Sequence, residues 1–218
     1  MQRLERLGGL LGQSRPRPWA FGNCMLVGAS DVTTHAGRSH SGLRQRLRDA
    51  TSDAHRELDA QLSAFDLSGL AGYRRFLGAS AGALLPLEAA LADAGVDRIF
   101  PDWPERSRSA AIAADLGRLG ATASPAVSVP PLTHSGMLGT MYVLEGSRLG
   151  AKFLLKTVAD ANDPRIREAC TYLRHGAGRR LWQSFLSKLE SEEDCNEVEV
   201  IAAARVAFAA FEQAADRA

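Results

Sequence analysis

The chain has 218 residues, with 26 lysines and arginines against 25 acidic side chains and 45% apolar residues. A soluble chain of this length buries roughly 70% of its unfolded surface, so it needs neither disulfides nor a structural metal to fold. The near-neutral charge excludes a dedicated nucleic-acid binder, which would carry a basic stripe, and no run of eighteen uncharged apolar residues supplies a transmembrane segment.

Residues 1–40 carry Arg3, Arg6, Arg15, Arg17 and Arg38 but only Glu5 and Asp31 as acids, among scattered Gly, Ser and Pro. We read them as a disordered or leader-like extension ahead of a single domain over 41–218. The stretch Gly8 to Leu11 is too short for a secretory core, and Arg15, Pro16, Arg17 and Pro18 prevent its extension. Without the extension, 21 basic and 23 acidic side chains remain. Cys24, Cys170 and Cys195 form no CxxC pair, and we read them as reduced thiols in a cytoplasmic protein.

From Leu43, the positions Leu47, Ala50, Ala54, Leu58 and Leu62 recur every three or four residues, predicting a helix with one buried face to about Gln61. A second helix is expected from a cap near Ser68 to Gly95, bent by Gly78, Gly82 and Pro86. A third spans Asp102 to Leu119, and the proline-rich stretch Ala121 to Leu132 is a connection. Thr133 or Ser135 opens a long helix to about Ala159. Asp163 and Pro164 start one that runs to about Leu173, before Gly176 and Gly178. Leu181 to Leu189 and a segment after Asn196 complete an all-α bundle without strand patterns.

Two segments suggest chemistry. His55 lies three residues before Leu58 and four after Thr51, at the edge of the first helix's apolar face. An imidazole there can leave the core for a cleft, and Asp59 one turn on can set its tautomer; a histidine at the rim of an ordinary core fits the spacing equally. On the long helix, Gly136, Gly139, Gly146 and Gly150 fall within about an 80° arc. Each costs about 1 kcal/mol relative to alanine. The return is either close packing of another helix or a flat ligand lying against the backbone.

The stretch Leu47-Arg-Asp-Ala-Thr-Ser-Asp-Ala-His55 resembles the proximal helix of heme oxygenases, and Tyr142-Val-Leu-Glu-Gly146-Ser-Arg-Leu-Gly150 resembles the distal helix of bacterial members associated with bacteriophytochromes. The resemblance implies an all-α fold with heme held between these helices as both substrate and cofactor. The activity implied is oxygen-dependent cleavage of heme to biliverdin, carbon monoxide and ferrous iron. His55 would ligate the iron, Gly146 and Gly150 would overlie the opposite face, and Ser147 would order water where many members have aspartate. Arg48 is the candidate for a heme propionate, with Arg179 and Arg180 as weaker ones, and Thr51, Asp59 and Tyr142 complete the cofactor-binding set. Molecular oxygen, an external electron donor such as a ferredoxin or a reductase, and a photoreceptor that uses biliverdin are the implied partners. The alternatives are a non-catalytic heme carrier on the same scaffold and a non-heme di-iron oxidase. The di-iron reading needs converging carboxylates and histidines; His134 and His175 also fit helix ends, where the latter's positive charge would be welcome.

Overall fold

A computed structural model of the protein describes residues 42–218, so the expectation for residues 1–40 lies outside the described residues. Within them the secondary structure is helical throughout, with no strand. Helix α1 spans Leu43–Ser63 and α2 spans Leu70–Asp93; a 3-10 turn follows at Val96–Arg98. Helices α3 (Trp103–Arg106) and α4 (Ser109–Leu119) precede the long α5 (His134–Ala159). The short α6 (Pro164–Glu168) and α7 (Thr171–Arg174) lead to α8 (Leu181–Glu190) and α9 (Glu197–Asp216).

Helix α2 sits at the centre, buried on all sides from Phe76 to Leu84. It is long and apolar enough to cross a membrane, but two-thirds of that window is buried inside the bundle. Pro86 does not end it. Proline has no N–H to offer the carbonyl four residues back, which is that of Gly82, and the Val127 N–H occupies that carbonyl instead at 3.2 Å. Ser124 N–H likewise donates to Gly78 O at 2.9 Å, so the proline-rich connection is tied along α2. Its start differs from expectation: Ser68 does not cap the helix, because its N–H and hydroxyl both donate to Asp66 and Gly69 occupies the cap position. Its end agrees with expectation, since Gly95 adopts φ +80°, which side-chain-bearing residues avoid.

Two expected helices are each divided. Asp102–Leu119 breaks at Ser107 and Arg108, where Glu88 reaches across from α2 and accepts the N–H groups of Arg108 (2.8 Å) and Ser109 (2.9 Å). The Ser107 and Ser109 hydroxyls donate to the same carboxylate. A carboxylate taking the orphan donors of a helix start stabilises that start, and a side chain from elsewhere in the chain leaves no local capping signature. In the same way the helix expected to reach Leu173 stops at Glu168, and the fully buried Asp115 of α4 accepts the Tyr172 N–H at 2.7 Å to fix α7.

Helix α9 lies across α5, α1 and α2 and closes the bundle. Asn196 caps it by accepting the Val198 and Glu199 N–H groups, and Thr133 caps α5 by accepting from Gly136. The α5–α9 contact depends on Gly139: a Cβ there would collide with the carbonyl oxygen of Val200 and lie 3.0 Å from Ala203 Cβ. Gly139→Ala is therefore expected to lower stability by about 1–3 kcal/mol despite alanine's better helix propensity, read as the urea midpoint. The control Gly117→Ala in α4, where a Cβ meets nothing within 4 Å, should instead raise stability by about 0.5–1 kcal/mol.

Candidate functional site

Between α1, α2, α5 and α9 lies a cavity of about 70 Å³. Leu58, Leu62, Phe76, Leu154, Phe208 and Phe211 make it largely apolar, while His55, Asp59, Ser80, Arg108, Ser147 and Tyr172 supply its polar groups. His55 projects from α1 with 17% of its side chain exposed, and its Nδ1 lies 3.2 Å from Asp59 Oδ2, one turn on. An Nδ1–H directed at that carboxylate leaves the lone pair on Nε2, the tautomer suited to ligating a metal. The Phe208 ring of α9 meets the imidazole edge-on, with centroids 5.7 Å apart, and restricts its rotation.

The facing wall belongs to α5: Val143, Ser147 and Ala151 line it at i, i+4 and i+8. Gly146 and Gly150 are buried beside these positions. Ser147 Oγ donates to Leu144 O (2.8 Å) and accepts from Arg108 Nη1 (3.0 Å). Thus His55, Asp59 and Ser147 share one cavity. Thr51 and Tyr142 do not line it: both are buried, their hydroxyls hydrogen-bond across the α1–α5 contact, and Thr51 Oγ1 also donates to Leu47 O. Burial pushes the Tyr142 phenol above its ordinary pKa, with Arg44 and Arg48 pulling weakly the other way. Arg48 is half-buried on that side of α1 and also stands off the cavity wall. Arg179 and Arg180 are exposed, and Arg179 pairs with Glu105.

Sequence reasoning passed over Arg108, Phe208 and Phe211. The phenylalanines recur at helical spacing in an alanine-rich helix and look like ordinary core. Arg108 carried no local signal, because the Glu88 cap that turns it inward comes from α2. Around it is a buried ionic cluster in which Glu145 contacts Arg106 (3.4 Å) and Arg148 (2.9 Å).

A heme oxygenase family model matches residues 41–217 of the chain. The chain belongs to the heme oxygenase family. It is 31% identical over 178 residues to heme oxygenase PigA of Pseudomonas aeruginosa, covering 79% of this chain and 89% of that one. To a heme oxygenase of Xanthomonas campestris pv. campestris it is 29% identical over 132 residues, covering 59% and 79%. The fold is that of the NO- and CO-bound heme oxygenase from Neisseria meningitidis, with TM-score 0.63, 21% identity, and coverage of 80% of this chain and 90% of that one. This heme oxygenase is thus an enzyme of heme degradation, with heme as both substrate and prosthetic group.

The residues present suit that group chemically: an imidazole whose Nδ1 faces a carboxylate lines a largely apolar cavity. The volume is that of about two water molecules, smaller than a porphyrin, so its walls must move apart for one to enter.

His175 departs from the reading of a helix end that welcomes its positive charge. Burial and then the charges of Arg148 and Arg108 hold its pKa below the ordinary 6.5, and Arg148 Nη1 lies 3.2 Å from its Nδ1. A histidine whose folded pKa is depressed binds its proton more readily when unfolded, so its contribution is full above pH 6.5 and is lost as pH falls towards the folded value. Urea midpoints are expected to fall between pH 7.5 and 5.5, and His175→Gln should make that fall shallower.

Proposed function

We propose that this heme oxygenase opens the heme ring with molecular oxygen to give biliverdin, carbon monoxide and ferrous iron, with His55 as the iron ligand. The observation that carries the assignment is the His55 imidazole, paired through Nδ1 with Asp59 and standing in an apolar cavity opposite the α5 wall of Val143, Ser147 and Ala151. Bound heme supplies the iron at which oxygen is reduced and the ring carbon that is oxidised. The protein's own part is positioning. Asp59 and Phe208 fix the imidazole plane, and the apolar walls exclude water. Gly146 and Gly150, which carry no side chain, would let a flat ligand lie close to the α5 backbone, and the Ser147 hydroxyl, bonded to Leu144 O and Arg108, would order polar groups there.

Arg48, two turns before His55 on α1, is assigned to a heme propionate as a charge-assisted donor. The family's chemistry requires an external electron donor, for which a ferredoxin or a reductase is proposed. Release of biliverdin to a photoreceptor would fit the bacteriophytochrome-associated subtype. The free thiols of Cys170 and Cys195 suit the cytoplasm. The di-iron alternative needs several ligands around one point, and among the described residues no group of three or more His, Cys, Asp or Glu could hold a metal ion.

The test adds hemin to the purified full chain, then an electron donor and oxygen, while absorption is recorded. A histidine-ligated Soret band that decays into a biliverdin spectrum is expected; a stable band would indicate the carrier, and no band would reject both readings. His55→Ala should lose the histidine-ligated spectrum and turnover, whereas Asp59→Ala should retain the ligand and weaken heme binding by about tenfold.

A further inference from the structure

A guanidinium withdrawn from water is ordinarily matched by a carboxylate or by acceptors for all its N–H groups. Arg108 is 3% exposed and forms part of the cavity wall. Its Nη1 donates to Ser147 Oγ (3.0 Å) and its Nη2 to Leu144 O (3.0 Å), both neutral acceptors. Its face lies over the Tyr172 ring at 5.3 Å, and its buried Nε–H has no hydrogen-bond partner. The neighbouring carboxylates are engaged elsewhere. Glu88 is taken up by the backbone N–H of Arg108 and by Ser107 and Ser109, and Glu145 by Arg106 and Arg148. Arg108 therefore places on the α5 side of the cavity a positive charge whose side-chain contacts are all neutral; the one carboxylate among the lining residues, Asp59, pairs with His55 on α1.

We propose that Arg108 makes the α5 side of the His55 cavity a binding site for a small monovalent anion, of the size and class of formate, nitrite or azide. Charge selects the guest's sign, because apolar neighbours such as Leu154 and Val143 leave the guanidinium poorly screened and an anion is the species that compensates it. Volume selects its size, since about 70 Å³ admits a guest of three or four heavy atoms. Arg108 thereby acts as a positioning residue, and its pairing with Ser147 couples the guest to the α5 wall.

The site itself is testable without heme. Calorimetric melting of the full apo chain in sodium formate, at ionic strength held constant with sulfate, should show a melting temperature that rises with formate and does not rise with formamide. Isothermal titration with formate should show Arg108→Met binding at least tenfold more weakly, while Arg108→Lys, which keeps a point charge, recovers most of the affinity. Ala151→Leu fills the cavity without touching the charge and should abolish the formate effect, which keeps the test decisive if Arg108→Met does not fold. A formate effect absent from the parent chain, or equal in the parent and in Ala151→Leu, would overturn the site. Hemin titration of the same samples separates the two readings: formate binding without hemin binding would sink the heme assignment alone, and the reverse would sink the anion site alone.

Discussion

The close approach of α9 to α5 at Gly139 governs the geometry of the rest of the molecule. With no side chain at that position, the Val200 backbone can sit where a Cβ would otherwise stand, and the small residues of α9 continue the contact. From that seat α9 reaches α1 and α2 as well, which brings Phe208 against the His55 ring and Phe211 into the cavity wall. The backbone contact thus has a chemical result: the same helix that closes the core also limits how the candidate ligand can turn.

A second, electrostatic constraint operates at the opposite wall. Glu88 is buried at 4% exposure, yet its carboxylate is held by four hydrogen-bond donors at the start of α4 and so fixes where α4 begins. The residue that this cap turns inward is Arg108. Nearby, Glu145 is shared between Arg106 and Arg148, and Arg148 is held below its ordinary pKa, first by burial and then by the charge of Arg108. Buried cations crowd this side of the cavity, whereas the His55 side offers a carboxylate, Asp59.

The helical period made most of the fold readable. Leu47 and Leu58 of α1, the caps Thr133 and Asp163, and the stops at Gly95 and Gly176 all depend on neighbours within a turn or two, and such features survive in a linear reading. His55 beside Asp59 was legible for the same reason. The features that escaped have a distant partner: the break at Ser107 set by Glu88, the division of α6 from α7 fixed by Asp115, and the inward turn of Arg108. The glycine face of α5 was half legible. Its spacing shows on the chain, but only the fold reveals that Gly139 serves helix packing and that Gly146 and Gly150 are buried.

The pairing of α1 with α9 also bears on how the site comes into being. Hydrogen bonds from Arg46 to Glu197 and from Arg205 to Ala50 join residues 151 and 155 positions apart. Contacts of such separation close a long loop and form late, because the chain entropy lost in closure precedes the packing that offsets it. During synthesis His55 emerges long before Phe208 exists, so the imidazole acquires its fixed orientation only when the two ends of the bundle meet. A complete site is therefore a property of the finished fold, and a chain arrested before α9 would present its histidine on an open helix face.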